Sequence, residues 1–131
     1  MIEVCCALII RDGKVLATQR SEEMPHPLKW EFPGGKVKMG ESPERCIMRE
    51  IKEELRIQIK VDQMLPSVTH SYENITIKLV PFLCSILKGT VYLSEHLHFD
   101  WVDFNDLDTI DWLDADRKLV EKIQEKSSSF L

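Results

Sequence analysis

Three glutamates, Glu50, Glu53 and Glu54, stand at spacing i, i+3, i+4. On an α-helix that spacing gathers their carboxylates on neighbouring positions of one side. Left alone the cluster repels itself, by about 0.2–0.5 kcal/mol for each like-charged pair. A hard divalent cation such as Mg²⁺ offsets the repulsion, because it takes oxygen ligands. The chemistry open to such a cluster is metal-assisted attack on an anionic substrate. The competing reading is a solvated helix face laced by i, i+4 pairs such as Glu41–Arg45 and Arg49–Glu53.

The elements that must position these acids can be read on both sides of them. Ser42-Pro43-Glu44 is a helix start: an oxygen side chain at the N-cap, proline where its missing N–H is harmless, and an acid near the positive helix end. Ile47, Ile51 and Leu55 then supply an apolar stripe, so a helix is predicted over about residues 43–55. Before it, residues 2–10 form an apolar run of strand length, Asp12-Gly13 marks a turn, and residues 15–20 resume the strand pattern. Residues 21–29, with Pro25 and Pro27, read as a loop. Trp30-Glu31-Phe32 reads as a short extended piece closed by a turn at Pro33-Gly34-Gly35. After the helix, strands are predicted over 57–61, 67–71, 75–87 and 99–104, with a turn at Glu73-Asn74 and a helical turn near Asn105. Leu119, Val120 and Ile123 mark a closing helix over 115–126, with the serines at 127–129 as a frayed end. The predicted class is α/β in the α+β sense: a mixed sheet with a helix on each side.

A chain of 131 residues, 44% hydrophobic, is sized for a single domain over residues 1–131 with one core. It has no apolar run near the ~20 residues of a membrane span and no positively charged start, so a cytoplasmic protein without a membrane partner is expected. Cys5, Cys6, Cys46 and Cys84 form no C-x-x-C pair, which favours buried free thiols over a disulfide or zinc site. The net charge of −5, with seven acids and no Lys or Arg between Asp100 and Asp116, argues against a nucleic acid polymer as partner. A small phosphate ligand stays open if metal ions mediate it. His96 and His98 would share a face if extended, but two ligands make no zinc site, and they read as a polar strand edge.

Gly35, Glu41, Arg49, Glu50, Ile51, Glu53, Glu54 and Ile57 match G-x5-E-x7-R-E-U-x-E-E-x-G-U, with U a bulky aliphatic residue, at every fixed position but one. In this spacing the chain resembles the Nudix hydrolases. Trp30-Glu31-Phe32-Pro33-Gly34-Gly35-Lys36 is similar to the corresponding segment of the MutT-like branch, which includes bacterial CTP pyrophosphohydrolases. The exception is Arg56, where the family has a glycine that can turn left-handed after the helix.

The resemblance implies an α/β/α sandwich and a set of roles. Glu50, Glu53 and Glu54 would hold Mg²⁺, or Mn²⁺ in its place, with the carbonyl of Gly35 and with Glu95, which precedes Trp101 at the family spacing. Glu50 is the best candidate for the general base, Arg49 would orient the cluster and Glu41 would make a structural contact. Arg20, Glu31, Phe32 and Asp116 fall where relatives contact the nucleotide. Bland roles compete: Arg20 as surface, Phe32 as core, Asp116 as a helix cap, and Tyr72 and Trp112 as core rather than stacking residues. The implied reaction is Mg²⁺-dependent hydrolysis of a nucleoside triphosphate, (d)CTP-like or oxidised such as 8-oxo-dGTP, to monophosphate and pyrophosphate in sanitation of the nucleotide pool. The alternatives are a nucleotide-sensing module that lost turnover, and hydrolysis of another diphosphate such as ADP-ribose. The partner expected is a nucleotide, bound by a monomer or homodimer.

Overall fold

The apolar run at the start of the chain becomes the central strand, β1 (Ile2–Arg11), and its continuous hydrophobicity is explained by burial on both faces. It pairs in parallel with the long strand β7 (Ile75–Lys88) in the register Val4↔Leu79 to Ile9↔Cys84. The computed structural model describes residues 1–125. Alternate residues of β1 serve two apolar layers: Cys5, Ala7 and Ile9 enter one, Cys6 and Leu8 the other. Helix α1 (Pro43–Leu55) closes the first layer and helix α2 (Asp114–Glu125) closes the second, giving the predicted mixed sheet between helices.

Around β1 and β7 stand β2 (Lys14–Gln19), β3 (Trp30–Glu31), β4 (Gly34–Lys36), β5 (Gln58–Met64), β6 (Val68–Tyr72) and β8 (His98–Asp103). The sheet order runs β3-β2-β1-β7-β5, with β4 on β1, β6 on β7 and β8 on β2. The Asp12-Gly13 turn joins β1 to β2 with positive φ at both residues, as a tight hairpin requires. Residues Phe104–Thr109 form the expected helical turn, of 3₁₀ type.

Helix α1 occupies the predicted residues. Ser42 Oγ accepts from the Arg45 amide at 3.2 Å, and Pro43 opens the first turn. Cys46, Ile47, Ile51 and Leu55 are fully buried against the sheet. Truncating one of the large ones, as in Ile51→Ala, is expected to cost about 2–5 kcal/mol. At the other end Arg56 takes the left-handed conformation, φ 55°, in place of the family glycine. An arginine there costs about 1 kcal/mol relative to glycine. The last carbonyls of the helix are all engaged: Lys52 by the Arg56 amide, Leu55 by the Tyr92 amide, and Glu53 and Glu54 by the hydroxyl and amide of Ser94.

Two expectations need correction. Gly34–Lys36 continues as a strand antiparallel to β1 instead of forming a turn. Glycine's low strand propensity hid this, yet a side chain at Gly34 would collide with the Cys5 carbonyl, so only glycine allows the strands to approach. Nor are the four cysteines all free. Cys5, on the face of β1 that looks toward α1, meets Cys46 of α1 as a disulfide pair with Cα atoms 6.7 Å apart, while Cys6 and Cys84 are free and buried. A sequence separation of 41 residues gives no local signal for that meeting. Boundaries elsewhere shift by a few residues; the serines at 127–129 lie outside the described residues.

Candidate active site

Strand β4 brings Gly35 against helix α1. A Cβ on Gly35 would overlap the carboxyl group of Glu50, so that carboxylate lies directly on the glycine backbone. Beside it Arg49 organises the acids of the motif. Its Nε donates to Glu41 Oε2 at 2.6 Å and its Nη2 to Glu41 Oε1 at 2.9 Å, a two-pronged pair of the kind guanidinium geometry favours. Its Nη1 reaches Glu50 Oε1 at 2.9 Å and Glu53 Oε2 at 3.2 Å. Glu41 also accepts from the Lys38 amide at 3.1 Å. The Arg49 hydrogen bonds, with the Lys38 amide next, hold the Glu41 carboxyl down to about 2. Arg49 is pushed above its usual range, chiefly by Glu41. The pair foreseen between Glu41 and Arg45 is absent among the described residues; Arg49 takes that acid instead.

The third glutamate behaves differently. Glu54 is largely buried, and its Oε2 has no hydrogen-bond partner. Burial first, then a hydrogen bond to Glu50 and the charges of Glu50, Glu31 and Glu95, push its carboxyl up to about 9. An orphaned buried oxygen among like charges is what a cation would satisfy. As the side chains lie, no three His, Cys, Asp or Glu among the described residues enclose an ion, because Arg49 draws Glu53 and one oxygen of Glu50 to its own side. The donors fit a cation at the Glu50–Glu54–Gly35 junction, while Glu53 is paired with Arg49.

Glu54 opens into a cleft of about 380 Å³. This cleft gathers most of the residues singled out in the sequence: Gly35, Glu54, Glu95, Arg20, Glu31, Phe32 and Asp116 all line it. Glu41, Arg49, Glu50 and Glu53 stand beside it as the ion-paired cluster. Arg20 Nη1 binds Glu31 Oε1 at 2.8 Å and its Nε donates to the Pro25 carbonyl at 2.7 Å. Phe32 is buried and stacked on the fully buried Trp112, with ring centres 4.5 Å apart, so it is both core and cleft lining. The indole N–H of Trp112 donates to the Leu107 carbonyl, fixing it as core.

Asp116 lies inside the first turn of α2, not at its cap, and its Oδ2 accepts the Phe32 amide at 2.8 Å. Only 4% exposed, its carboxyl is pushed well above the usual range by burial first and Glu31 second. Tyr72 also serves α2, its hydroxyl accepting from the Ala115 amide at 3.0 Å.

One residue of the cleft was misread. His96 is not part of a strand edge: it precedes β8, is buried, and its Nε2 meets Glu31 Oε2 at 2.7 Å, so that Glu31 bridges Arg20 and His96. His98 does begin β8 and is exposed. A single histidine carries no periodic signal, and its only sequence hint is adjacency to Glu95.

The chain matches the NUDIX domain over residues 1–123. The CTP pyrophosphohydrolase of Escherichia coli (strain K12) is 37% identical over 101 residues, covering 77% of this chain and 75% of that protein. An 8-oxo-dGTP diphosphatase of Haemophilus influenzae is 28% identical over 132 residues, 100% of this chain and 97% of its own length. Among solved structures, the E. coli ORF135 protein superposes with a TM-score of 0.84 at 31% identity, over 98% of this chain and 92% of the other. The MutT protein of Methanosarcina mazei Go1 gives 0.86 at 27% identity, over 96% and 94%. With its motif, its sheet between two helices and these relatives, the chain belongs to the NUDIX family of hydrolases.

Proposed function

We propose that this chain hydrolyses a nucleoside triphosphate to the monophosphate and pyrophosphate, with Mg²⁺, or Mn²⁺ in its place, as the working metal. The observation that carries the reading is Glu54: a buried carboxyl with one unpartnered oxygen, surrounded by Glu50, Glu31 and Glu95, on the wall of a cleft sized for a small ligand. Glu50, Glu54 and the Gly35 carbonyl would hold the cation, joined by Glu53 and by Glu95, which lines the same cleft. A cation held there neutralises phosphate charge and lowers the pKa of water.

The chain's own residues do the rest. Glu50, steadied by Arg49, takes the proton of the attacking water, with Glu53 as the adjacent acceptor. The water oxygen bonds to the phosphorus on one side of the α–β bridge, the P–O bond from that phosphorus to the bridging oxygen breaks, and the bridging oxygen keeps the bonding electrons on the other product, so that monophosphate and pyrophosphate separate. Glu41 anchors Arg49 and so keeps the cluster in place. Arg20 and Glu31 contact the sugar side of the nucleotide. Phe32 and Asp116 form the base end, where Asp116, its carboxyl pushed up by burial, accepts at a base edge or, when protonated, donates.

CTP-like pyrimidines and oxidised purines such as 8-oxo-dGTP are the leading substrates, in keeping with the names of the E. coli and H. influenzae relatives. The test is pyrophosphate release from CTP, dCTP, dGTP, 8-oxo-dGTP and ATP, with Mg²⁺ or with excess EDTA, comparing the native chain with Glu53→Gln. Release that needs the metal and falls sharply in the variant is expected. Binding without release from any nucleotide between about pH 7 and 9 would identify a sensing module instead. Activity confined to ADP-ribose would move the chain to another diphosphate substrate.

A further inference from the structure

The acidic cleft is not the only cavity among the described residues. A depression of about 630 Å³ lies at the exit of helix α1, walled by Arg49, Lys52, Arg56 and Lys88 over a floor that includes Met48, Ile57 and Ile59. In a chain of net charge −5, four cations around one cavity need a cause. Arg49 has one, since its guanidinium is spent on Glu41, Glu50 and Glu53. Lys52, Arg56 and Lys88 have no carboxylate within ion-pair distance among the described residues.

The ordinary explanation for cations at this place is that they satisfy the open carbonyls of a helix C-terminus. Here the carbonyls of Lys52, Glu53, Glu54 and Leu55 already accept from the Arg56, Tyr92 and Ser94 amides and the Ser94 hydroxyl, so the cations are not needed as their donors and only the helix dipole acts on them. Nor is the grouping a loose scatter of surface charge. The Arg56 guanidinium sits 3.9 Å over the centre of the Tyr92 ring, which fixes its direction. Lys88 is held opposite Gln58 by the β5–β7 register. The chain turns at Gly89 (φ 103°) so close to Arg56 that a Cβ there would stand 3.1 Å from the Arg56 carbonyl oxygen. The residue that departs from the family motif, held in a left-handed conformation that glycine would adopt freely, is thus the one that completes the cationic wall.

We propose that this cleft is a second ligand site, for a phosphate-bearing anion of nucleotide size. The three cations without a carboxylate partner, Arg56 among them with only the Tyr92 ring against it, match a diphosphate or triphosphate chain. The apolar floor and the volume leave room for an organic body beside it, within the range of small-molecule pockets. A free nucleotide and inorganic pyrophosphate share the chemistry the cations read, and the experiment separates them. The site is distinct from the proposed hydrolytic cleft, which faces the other side of α1 through Glu54; Arg49, committed to the acids of the motif, borders both.

The test is an amide-resolved NMR titration in EDTA, which suppresses metal-dependent hydrolysis, using ADP and inorganic pyrophosphate as separate probes. Saturable shifts at the amides of Arg56, Gln58 and Gly89 are expected with ADP, persisting in Glu54→Gln. Lys88→Glu and Arg56→Gly should each weaken that binding by about tenfold, as removal of one charge-assisted contact does. Lys88→Ala, a smaller change at the same exposed position, guards against a folding defect and should weaken it in the same direction. If pyrophosphate gives the same shifts as ADP, the phosphate chain alone is recognised; if only ADP does, the organic body contributes; both support the site. Shifts confined to residues 31–36 and 116, no shifts with either probe, or affinities unchanged in all three cleft variants would overturn it, and each leaves the hydrolytic reading standing.

Discussion

The two clefts on either side of α1 are built from opposite charge on one helix. Glu54 faces the smaller cleft with Glu31, Glu95 and Asp116 nearby; Lys52 and Arg56 face the larger with Lys88. Helical spacing makes this segregation possible, since residues 52 and 54 point to different sides while 50, 53 and 54 share one. The environments differ as sharply as the charges. Around Glu54 and Asp116 burial is the largest influence on the carboxyls, so like charges act through low dielectric and an incoming cation is strongly favoured. The basic cleft is exposed at Lys52, Arg56 and Lys88, so its field is screened by salt and suits reversible capture of an anion. On the proposed reading, chemistry lies on the side where burial raises a carboxyl, and binding alone on the exposed side.

The comparison breaks most visibly at Glu50. Glu50→Gln keeps the shape and removes the proton acceptor, so kcat should fall by about 10²–10⁴-fold. Steady-state pyrophosphate release measures it, and a loss below tenfold would move the base elsewhere. Next in size is the wall behind the base end. Trp112→Ala empties the space against which Phe32 stacks and should cost about 3–5 kcal/mol in denaturant unfolding.

Asp116→Asn sharpens the contrast through pH. The folded carboxyl titrates above its unfolded value, so its ionisation carries no penalty below the unfolded pKa of ~3.9, and the penalty grows as pH rises toward the folded value. The asparagine lacks that penalty while its side-chain oxygen can still accept the Phe32 amide. The variant's advantage in unfolding free energy should therefore grow from pH 4 upward, reaching about 1 kcal/mol, the scale of a typical substitution. A pH-independent difference would mean that Asp116 is not held neutral by burial. The smallest effect is on the basic side: Arg56→Gly relieves the left-handed arginine yet loosens the unfolded chain, so stability should change by about 1 kcal/mol or less, with Mn²⁺ affinity unaltered.

How much of this was legible beforehand depended on whether the signal was local. Helix α1 was readable to the residue because its cap, proline, stripe and acids all lie within its own span. Gly35 and Glu54 were named through the motif, Glu31 and Phe32 through the segment before it, and Arg20, Glu95 and Asp116 through the wider family resemblance; the fold lines one cleft with all of them. What escaped was set by tertiary contact. Gly34–Lys36 is a strand because β1 lies beside it, and Cys5 meets Cys46 because a strand face and a helix face are stacked. His96 joins the cleft because Glu31, 65 residues away, reaches it. Arg56 was visible as a departure from the motif, but its cationic neighbours Lys52 and Lys88 come from a helix and a strand whose juxtaposition no spacing encodes.

The central claim is that the Glu54 side of α1 holds the metal. Mn²⁺ binding followed by electron paramagnetic resonance, in the native chain and in Glu54→Gln, tests it without dependence on any choice of nucleotide. The account predicts a bound ion in the native chain and an affinity about 10–100-fold weaker in the variant, the range for disturbed metal coordination. Equal Mn²⁺ affinity in the two proteins would contradict it.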